Sequence, residues 1–193
     1  TGSVFTDRIP KANIRWPVTI HGSQGGTFAD NIADEGGGWG LGTEDDLSPG
    51  NRIERNWVSR TRGLLEGDVH GGAKYQPNAS NNGSGFWIMD LNNYIVGNVS
   101  IDNAYFNYDL HASHGIAAPG SSAILEFAGN EAYVGSDLTM WHHNGMDTPG
   151  DNGTGPLGIV KDFTSWRCEG QYLYPLRNVE FHGLDVCGHP EGL

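Results

Sequence analysis

Residues 95–106 read Ile95-Val-Gly-Asn98-Val-Ser100-Ile-Asp-Asn-Ala-Tyr-Phe106. The stretch follows a short phrase: an apolar residue, an asparagine three positions later, a small residue two positions further on, and another apolar residue. Clear copies of the phrase lie at Phe28/Asn31/Ala33/Trp39, Ile53/Asn56/Val58/Leu64 and Phe127/Asn130/Ala132/Leu138. Weaker copies lie at Ile159/Asp162/Thr164 and Val179/His182/Leu184. A phrase that returns at such intervals is typical of repeat architectures.

The spacing of the repeats favours a solenoid over a propeller. Asn31, Asn56, Asn98 and Asn130 are 25, 42 and 32 residues apart. Coils that share one stacked cross-section accept loops of different length between them, whereas propeller blades recur at a nearly fixed period.

The phrase also predicts a bend. Side chains alternate between the two sides of a strand, so two inward residues should be an even number apart, yet Ile53 and Val58 are five apart. We expect the alternation to break at Asn56. In stacked coils Asn31, Asn56, Asn98 and Asn130 would then lie above one another and form an amide ladder, which Asp162 and His182 would extend imperfectly.

The composition agrees with one all-β domain over residues 1–193. The chain has 30 glycines, and convincing amphipathic helix is almost absent. We predict a right-handed parallel β-helix of about six to eight coils. Residues 1–4 and 189–193 contain nothing that resembles a cap, so we expect a segment of a longer protein, or an end that packs on further coils or another chain.

The charge excludes some partners. The formal net charge of -12 makes a broad contact with nucleic-acid phosphates unfavourable. Arg52, Arg55, Arg60 and Arg62 are clustered, but Glu44, Asp45, Asp46 and Glu54 are near in sequence, so we expect these arginines to pair with acids. No apolar run is long enough to span a membrane.

Two stretches carry a family resemblance. Gly85-Phe-Trp-Ile88 followed by Asn92-Asn-Tyr-Ile-Val-Gly-Asn98 resembles the β-helix region of cell-surface and secreted hyaluronan-processing proteins that carry a G8 domain, and related bacterial β-helix repeat proteins. Phe127-Ala-Gly-Asn130 and Phe163-Thr-Ser-Trp166 are similar to coils of the same group. The resemblance covers residues 28–187 and implies the fold. It does not carry over hyaluronan specificity, because residues 99–102 depart from the family pattern and no G8 domain is present.

Glu66, Asp68 and His70 are the candidate catalytic residues. They are spaced by two, so on an extended segment they would share one side, where two acids and an imidazole could cleave a glycosidic bond or bind a metal ion. The alternative is a solvated polar loop.

Four further residues are candidate glycan contacts: Trp57, Arg60, His111 and His114. Trp57 should point outward and stack on a sugar, whereas Trp39 should belong to the core. Trp87, Trp141 and Trp166 could stack in the same way where they are exposed.

Metal and disulfide candidates are less specific. Glu44, Asp45 and Asp46, and Asp147 with Asp151, offer hard oxygen ligands for Ca²⁺, but they fall short of the EF-hand pattern, which favours a solvated acidic surface. Cys168 and Cys187 would lie on adjacent coils, where either a disulfide or two reduced thiols would fit.

These observations predict a secreted or cell-surface β-helix that acts on carbohydrate, either as part of a polysaccharide-cleaving enzyme or as a binding segment. Neutral glycans suit the acidic chain better than anionic ones. The alternative is a structural module of a surface fibre, sheath or multisubunit assembly.

Overall fold

The computed structural model describes residues 2–6, 17–43, 49–62, 69–70, 73–74, 83–89, 91–111, 124–143, 158–174 and 179–188. At residues 69–70, 73–74, 111, 135–143, 169–174 and 179 it describes the backbone alone. All regular structure in these ranges is β-strand. The strands are β1 (Val4–Thr6), β2 (Val18–Ile20), β3 (Thr27–Ala29), β4 (Ile32–Asp34), β5 (Leu41–Thr43), β6 (Arg52–Glu54), β7 (Trp57–Ser59), β8 (Val69–His70), β9 (Ala73–Lys74), β10 (Phe86–Ile88), β11 (Tyr94–Val96), β12 (Val99–Asn103), β13 (Tyr108–His111), β14 (Glu126–Ala128), β15 (Glu131–His143), β16 (Gly158–Tyr174) and β17 (Val179–Cys187).

The strands form a 15-stranded sheet in which every pairing is parallel, and β8 and β9 form a separate antiparallel pair. Up to β14, each strand of the large sheet pairs with its counterpart from the preceding or following repeat and not with its neighbour in sequence, whereas the long strands β15, β16 and β17 pair with one another in sequence order. Such connectivity is that of a β-solenoid, and it agrees with the all-β parallel architecture that the sequence predicts.

The pairings divide the sheet into three faces. Face A contains β2, β5, β10, β13 and the last residues of β15 and β16. Face B contains β3, β6, β11, β14 and the first residues of β16 and β17. Face C contains β1, β4, β7, β12, the first residues of β15, the middle of β16 and the end of β17.

The interior of face B is a stacked apolar row. Phe28 is opposite Ile53, Ile53 is opposite Ile95, and Ile95 is opposite Phe127. Ile53, Ile95 and Phe127 are fully buried, and each contributes about 1.5–3 kcal/mol by leaving water. The phrase therefore predicts these positions correctly.

The asparagine ladder is confirmed. Asn31 Nδ2 donates to Asn56 Oδ1 at 2.9 Å, Asn56 Nδ2 to Asn98 Oδ1 at 3.0 Å, and Asn98 Nδ2 to Asn130 Oδ1 at 3.0 Å. The backbone N–H groups of Asn31, Asn56 and Asn98 donate to the same oxygens. The ladder therefore satisfies buried backbone groups at the corner between faces B and C.

The predicted continuation of the ladder is wrong by one residue at Asp162 and by two residues at His182. Phe127 is opposite Val160 and Glu131 is opposite Thr164, so Asn130 lies at the level of Phe163 and not of Asp162. Phe163 is in turn opposite Leu184, which excludes His182. The column therefore changes from amide to apolar side chains, and Phe163 is buried against Phe127 with ring centroids 5.8 Å apart.

The bend also differs from the prediction. The residue with positive φ is Arg55 (51°), one position before Asn56. Left-handed residues stack at both ends of the face C strands. Asp30, Arg55, Gly97, Gly129, Asp162 and Gly183 precede them, and Glu35, Arg60, Asp102, Val134, Arg167 and Gly188 follow them. Each of these residues turns the chain at a corner, which resets the alternation of side chains.

Trp39 is buried as predicted, but not inside the solenoid. It stacks on Trp87 with ring centroids 3.9 Å apart, and Met89 completes this small cluster. Phe86 and Ile88 on either side of Trp87 belong to the main core, so Trp87 projects from the outer side of face A.

Candidate functional site

The outer side of face C carries the largest group of exposed rings among the described residues. Val58 points into the core, so its neighbours Trp57 and Ser59 point outward. The same alternation defines two outward columns along the face. The first column contains Val4, Ile32, Trp57, Val99, Glu131, Thr164 and Asp185, and the second contains Thr6, Asp34, Ser59, Ile101, Tyr133, Trp166 and Cys187.

We call the apolar members from β4 to β16 the aromatic track: Ile32, Trp57, Val99, Ile101, Tyr133 and Trp166. Trp57 is 44% exposed and Trp166 is 38% exposed. Tyr133 packs edge-on against Trp166 with ring centroids 6.4 Å apart. Large exposed rings that lie together on one side of a protein mark a binding surface more often than scattered apolar residues do.

Polar neighbours hold the rings in place. Trp57 Nε1 donates to Ser59 Oγ at 3.1 Å, and Ser59 Oγ donates to Asp34 Oδ1 at 2.7 Å. At the other end of the track the Arg167 guanidinium lies 4.7 Å from the Trp166 ring. A ligand would therefore meet rings whose orientation is already set.

The Tyr133 hydroxyl donates to Glu131 Oε2 at 2.6 Å. That hydrogen bond, together with partial burial and the charges of Glu131 and Asp185, raises the pKa of Tyr133 to about 12. The phenol therefore stays protonated at neutral pH, and it fixes the Glu131 carboxylate beside the track.

The arginines beside the track pair with acids, as predicted. Arg55 makes two hydrogen bonds to Asp30, at 2.7 and 2.9 Å, and these are the main reason that the pKa of Asp30 is lowered. Arg52 is 2.6 Å from Glu54, and Arg62 is 3.3 Å from Glu35. Glu54 is the acid that the sequence identified. The other partners come from the preceding repeat.

Arg60, a predicted glycan contact, pairs with Asp34 through Nε at 3.0 Å and through Nη2. Burial alone would raise the pKa of Asp34, but the hydrogen bonds from Arg60 and Ser59 outweigh burial and lower it. Arg60 is about half exposed, at the border of the track near Trp57. The structure thus places Trp57 and Arg60 near each other, and their contact with a glycan stays a prediction.

The predicted catalytic trio stays a prediction, because none of its three side chains is among those described. Glu66 and Asp68 lie outside them, and His70 is described by its backbone alone, in β8. His111 ends β13 and is also described by its backbone alone, whereas His114 lies outside the described residues. Trp141 is likewise a backbone position in β15.

The calcium candidates Glu44, Asp45, Asp46, Asp147 and Asp151 all lie outside the described residues. Within the ranges given above, no three His, Cys, Asp or Glu side chains lie close enough together to hold a metal ion.

Cys168 and Cys187 are separate free thiols in the structure. Cys187 is opposite Trp166, in the second outward column, whereas Cys168 lies two residues further along β16 and is fully buried. The two side chains occupy different sides of the sheet, and the disulfide that the sequence left open is not formed.

Tyr133 and Glu131 were missed by the sequence reasoning. The signal was present, because Asn130 is followed by an outward, an inward and an outward residue, just as Asn56 is followed by Trp57, Val58 and Ser59. Trp166 was named as a possible sugar contact. Because the repeat around Asp162 was aligned one residue too early, the sequence reasoning did not place Trp166 opposite Tyr133.

Comparisons with known proteins give no family for this chain. No family model matches it, and neither a curated protein nor a solved structure matches it. Among the described residues no helix is long and apolar enough to cross a membrane.

Proposed function

We propose that this chain is a carbohydrate-binding β-helix module of an extracellular protein, and that it binds a neutral polysaccharide through the aromatic track. The finer fold assignment, a right-handed helix of about six to eight coils related to the β-helix of G8-domain proteins, is part of the same proposal. The single observation that carries the function is the alignment of Trp57, Tyr133 and Trp166 on one outer side of the solenoid.

The chemistry of these rings suits sugars. A pyranose ring has an apolar C–H side and a rim of hydroxyl groups, so it can rest on an aromatic ring and hydrogen-bond at its edges. Trp and Tyr combine an apolar ring with a polar tip for the same kind of mixed surface. Asp34 and Glu131 supply carboxylate oxygens beside the rings, and the buried Ser59 orients Asp34 and Trp57.

The charge supports a neutral ligand. The net charge is -12, and Glu131 and Asp185 have no cationic partner among the described residues. An anionic glycan would be repelled by these carboxylates, whereas a neutral one would not.

Affinity electrophoresis in gels that contain soluble polysaccharides tests the proposal. Neutral glucans, mannans and xylans are compared with anionic pectate and hyaluronan. We expect at least one neutral polymer to retard the wild-type chain, and Trp57→Ala and Trp166→Ala each to abolish most of the retardation.

Leu125→Ala is the matched control, because Leu125 is 47% exposed but lies directly before β14, on face B. It should migrate like the wild type. If no polysaccharide retards the chain, or if the Leu125 variant loses as much retardation as the tryptophan variants, carbohydrate binding is wrong and the structural-module alternative takes its place.

A further inference from the structure

The aromatic track does not follow a single column of face C. Its first members, Ile32 and Trp57, lie in the first outward column. On β12 both columns are apolar, with Val99 and Ile101. Its last members, Tyr133 and Trp166, lie in the second column. The track therefore crosses the sheet diagonally between β4 and β16.

The polar side chains shift the other way along face C, from the second outward column to the first. Where the first column is apolar, the second contains Asp34 and Ser59. Where the second column is aromatic, the first contains Glu131 and Thr164, followed by Asp185. The diagonal track thus has hydrogen-bonding groups on both of its long sides, at opposite ends.

We infer that the ligand is an unbranched, ribbon-like glycan that lies along this diagonal, with ring faces on the track and hydroxyl edges toward the two polar groups. The inference rests on the proposed function and specifies its substrate class. A chain with side branches at its edges would collide with Asp34 and its partner Arg60 on one side, or with Glu131 and Thr164 on the other.

The geometry sets a minimum length for the ligand. Trp57 lies on β7 and Trp166 on β16, three strand pairings apart through β12 and β15. Three pairings correspond to about 14 Å across the strands, and two residues to about 7 Å along them. A disaccharide can cover one tryptophan, whereas a longer oligomer can cover both and gain affinity from the second contact.

Charge limits the ligand further. Near Trp57 the cations are matched by acids, as in the pairs Arg55–Asp30 and Arg60–Asp34. Near Trp166 the described residues provide two carboxylates without an ion-pair partner, those of Glu131 and Asp185, against one guanidinium, that of Arg167 on the Trp166 ring. A uronic acid polymer laid along the whole diagonal would bring its carboxylates onto these two groups, so the ribbon must be neutral.

Isothermal titration calorimetry with β-1,4-linked glucose, mannose, xylose and N-acetylglucosamine oligomers, from disaccharide to octasaccharide, tests the inference. For the series that binds, we expect affinity to rise by about tenfold or more once the oligomer spans both tryptophans, and then to level off. Trp57→Ala and Trp166→Ala should each remove this gain from the octasaccharide. For the disaccharide only one of the two variants should matter.

Trp57→Phe and Trp166→Phe keep a ring at each site and should retain most of the gain, and thermal unfolding of every variant checks that it folds. A branched polymer with the backbone of the best oligomer series should bind at least tenfold more weakly per site than its unbranched counterpart. If affinity does not depend on length, or if branching has no effect, the diagonal site is wrong while carbohydrate binding stands. If no glycan binds at all, the proposed function itself is wrong.

Discussion

Asn56 Nδ2 and Asn98 Oδ1 are 3.0 Å apart, although 42 residues separate the two asparagines in sequence. Asn98 is fully buried, and its side chain uses both of its polar atoms. Oδ1 accepts from the backbone and side-chain nitrogens of Asn56, and Nδ2 donates to Ile53 O and Asn130 Oδ1. This one residue therefore joins three levels of the solenoid.

Replacing Asn98 should strongly lower the stability of the fold. Asn98→Ala leaves the buried backbone N–H of Asn56 without its acceptor and removes the hydrogen bond to Ile53 O, so we expect the free energy of unfolding to fall by about 3 kcal/mol or more. Asn31→Ala is the control. Among the described residues its Oδ1 accepts one hydrogen bond, from the exposed backbone N–H of Ser3. Its Nδ2 donates to Asn56 Oδ1, which keeps the Asn31 backbone N–H as a donor in the variant, so the loss should be about 1 kcal/mol. Urea unfolding measures both, and equal losses would contradict the importance of the buried ladder.

Val134 offers a stabilising substitution. It is a β-branched residue with φ of 43°, in a column that ends with Gly188. Because the left-handed region is unfavourable for side chains with a Cβ, Val134→Gly should raise the free energy of unfolding by about 1 kcal/mol. The reverse change is Gly97→Ala, at φ of 63°, where the added Cβ would come no nearer than 3.6 Å to Arg55. It should lower stability by about the same amount, and a loss of stability in Val134→Gly would refute the expectation.

Titration of the Tyr133 hydroxyl tests its hydrogen bond to Glu131. Glu131→Gln removes the charged acceptor, so the pKa of Tyr133 should fall from about 12 toward its usual 10.0. The folded protein favours the protonated phenol, and this stabilisation is complete below pH 10 and is lost as the pH rises through about 12. The difference in tyrosinate absorbance between each protein and its Tyr133→Phe derivative isolates this residue. Identical titration in both backgrounds would show that the hydrogen bond does not form.

Low pH should weaken the ion pair between Asp34 and Arg60 and so lower the free energy of unfolding. The folded pKa of Asp34 lies below its usual 3.8, so its carboxylate stabilises the fold above that pH, and the contribution disappears as the pH falls through the folded value. Asp34→Asn should therefore flatten the loss of stability below about pH 4, as measured by urea unfolding at a series of pH values. Ser59→Ala, which removes one of the hydrogen bonds, should flatten it less. A wild-type pH dependence in Asp34→Asn would contradict this assignment.

The repeat phrase predicted the inward apolar row and the asparagine ladder because every coil must bury the same apolar position and pair the same amide. An amide at Asn56 or Asn98 must be paired, and Ile53 or Ile95 must be buried, so both leave a strong pattern in sequence. Trp57 was placed outward by the same alternation. Asp162 was wrongly assigned to the ladder. The ladder position of that coil is Phe163, whose apolar ring does not match the asparagine of the repeat phrase.

The site was harder to recognise from sequence. Its rings come from different repeats, and their alignment depends on the register between β7, β12, β15 and β16. Loops of unequal length separate these strands, and nothing in the local sequence of Trp57 points to Tyr133 or Trp166. Arg60 and Asp34 illustrate the same difficulty, since the acid that pairs with Arg60 is 26 residues away in sequence.

The change from Asn130 to Phe163 also determines where the solenoid can be lengthened by duplication. A copied repeat spliced between Asn56 and Asn98 would bring its own amide and extend the chain of hydrogen bonds without a gap. The same repeat spliced after Phe163 would set its amide oxygen against the Phe163 ring, which has no N–H to donate to that oxygen. Added coils are therefore better tolerated among the repeats that carry Asn31, Asn56, Asn98 and Asn130 than after Phe163.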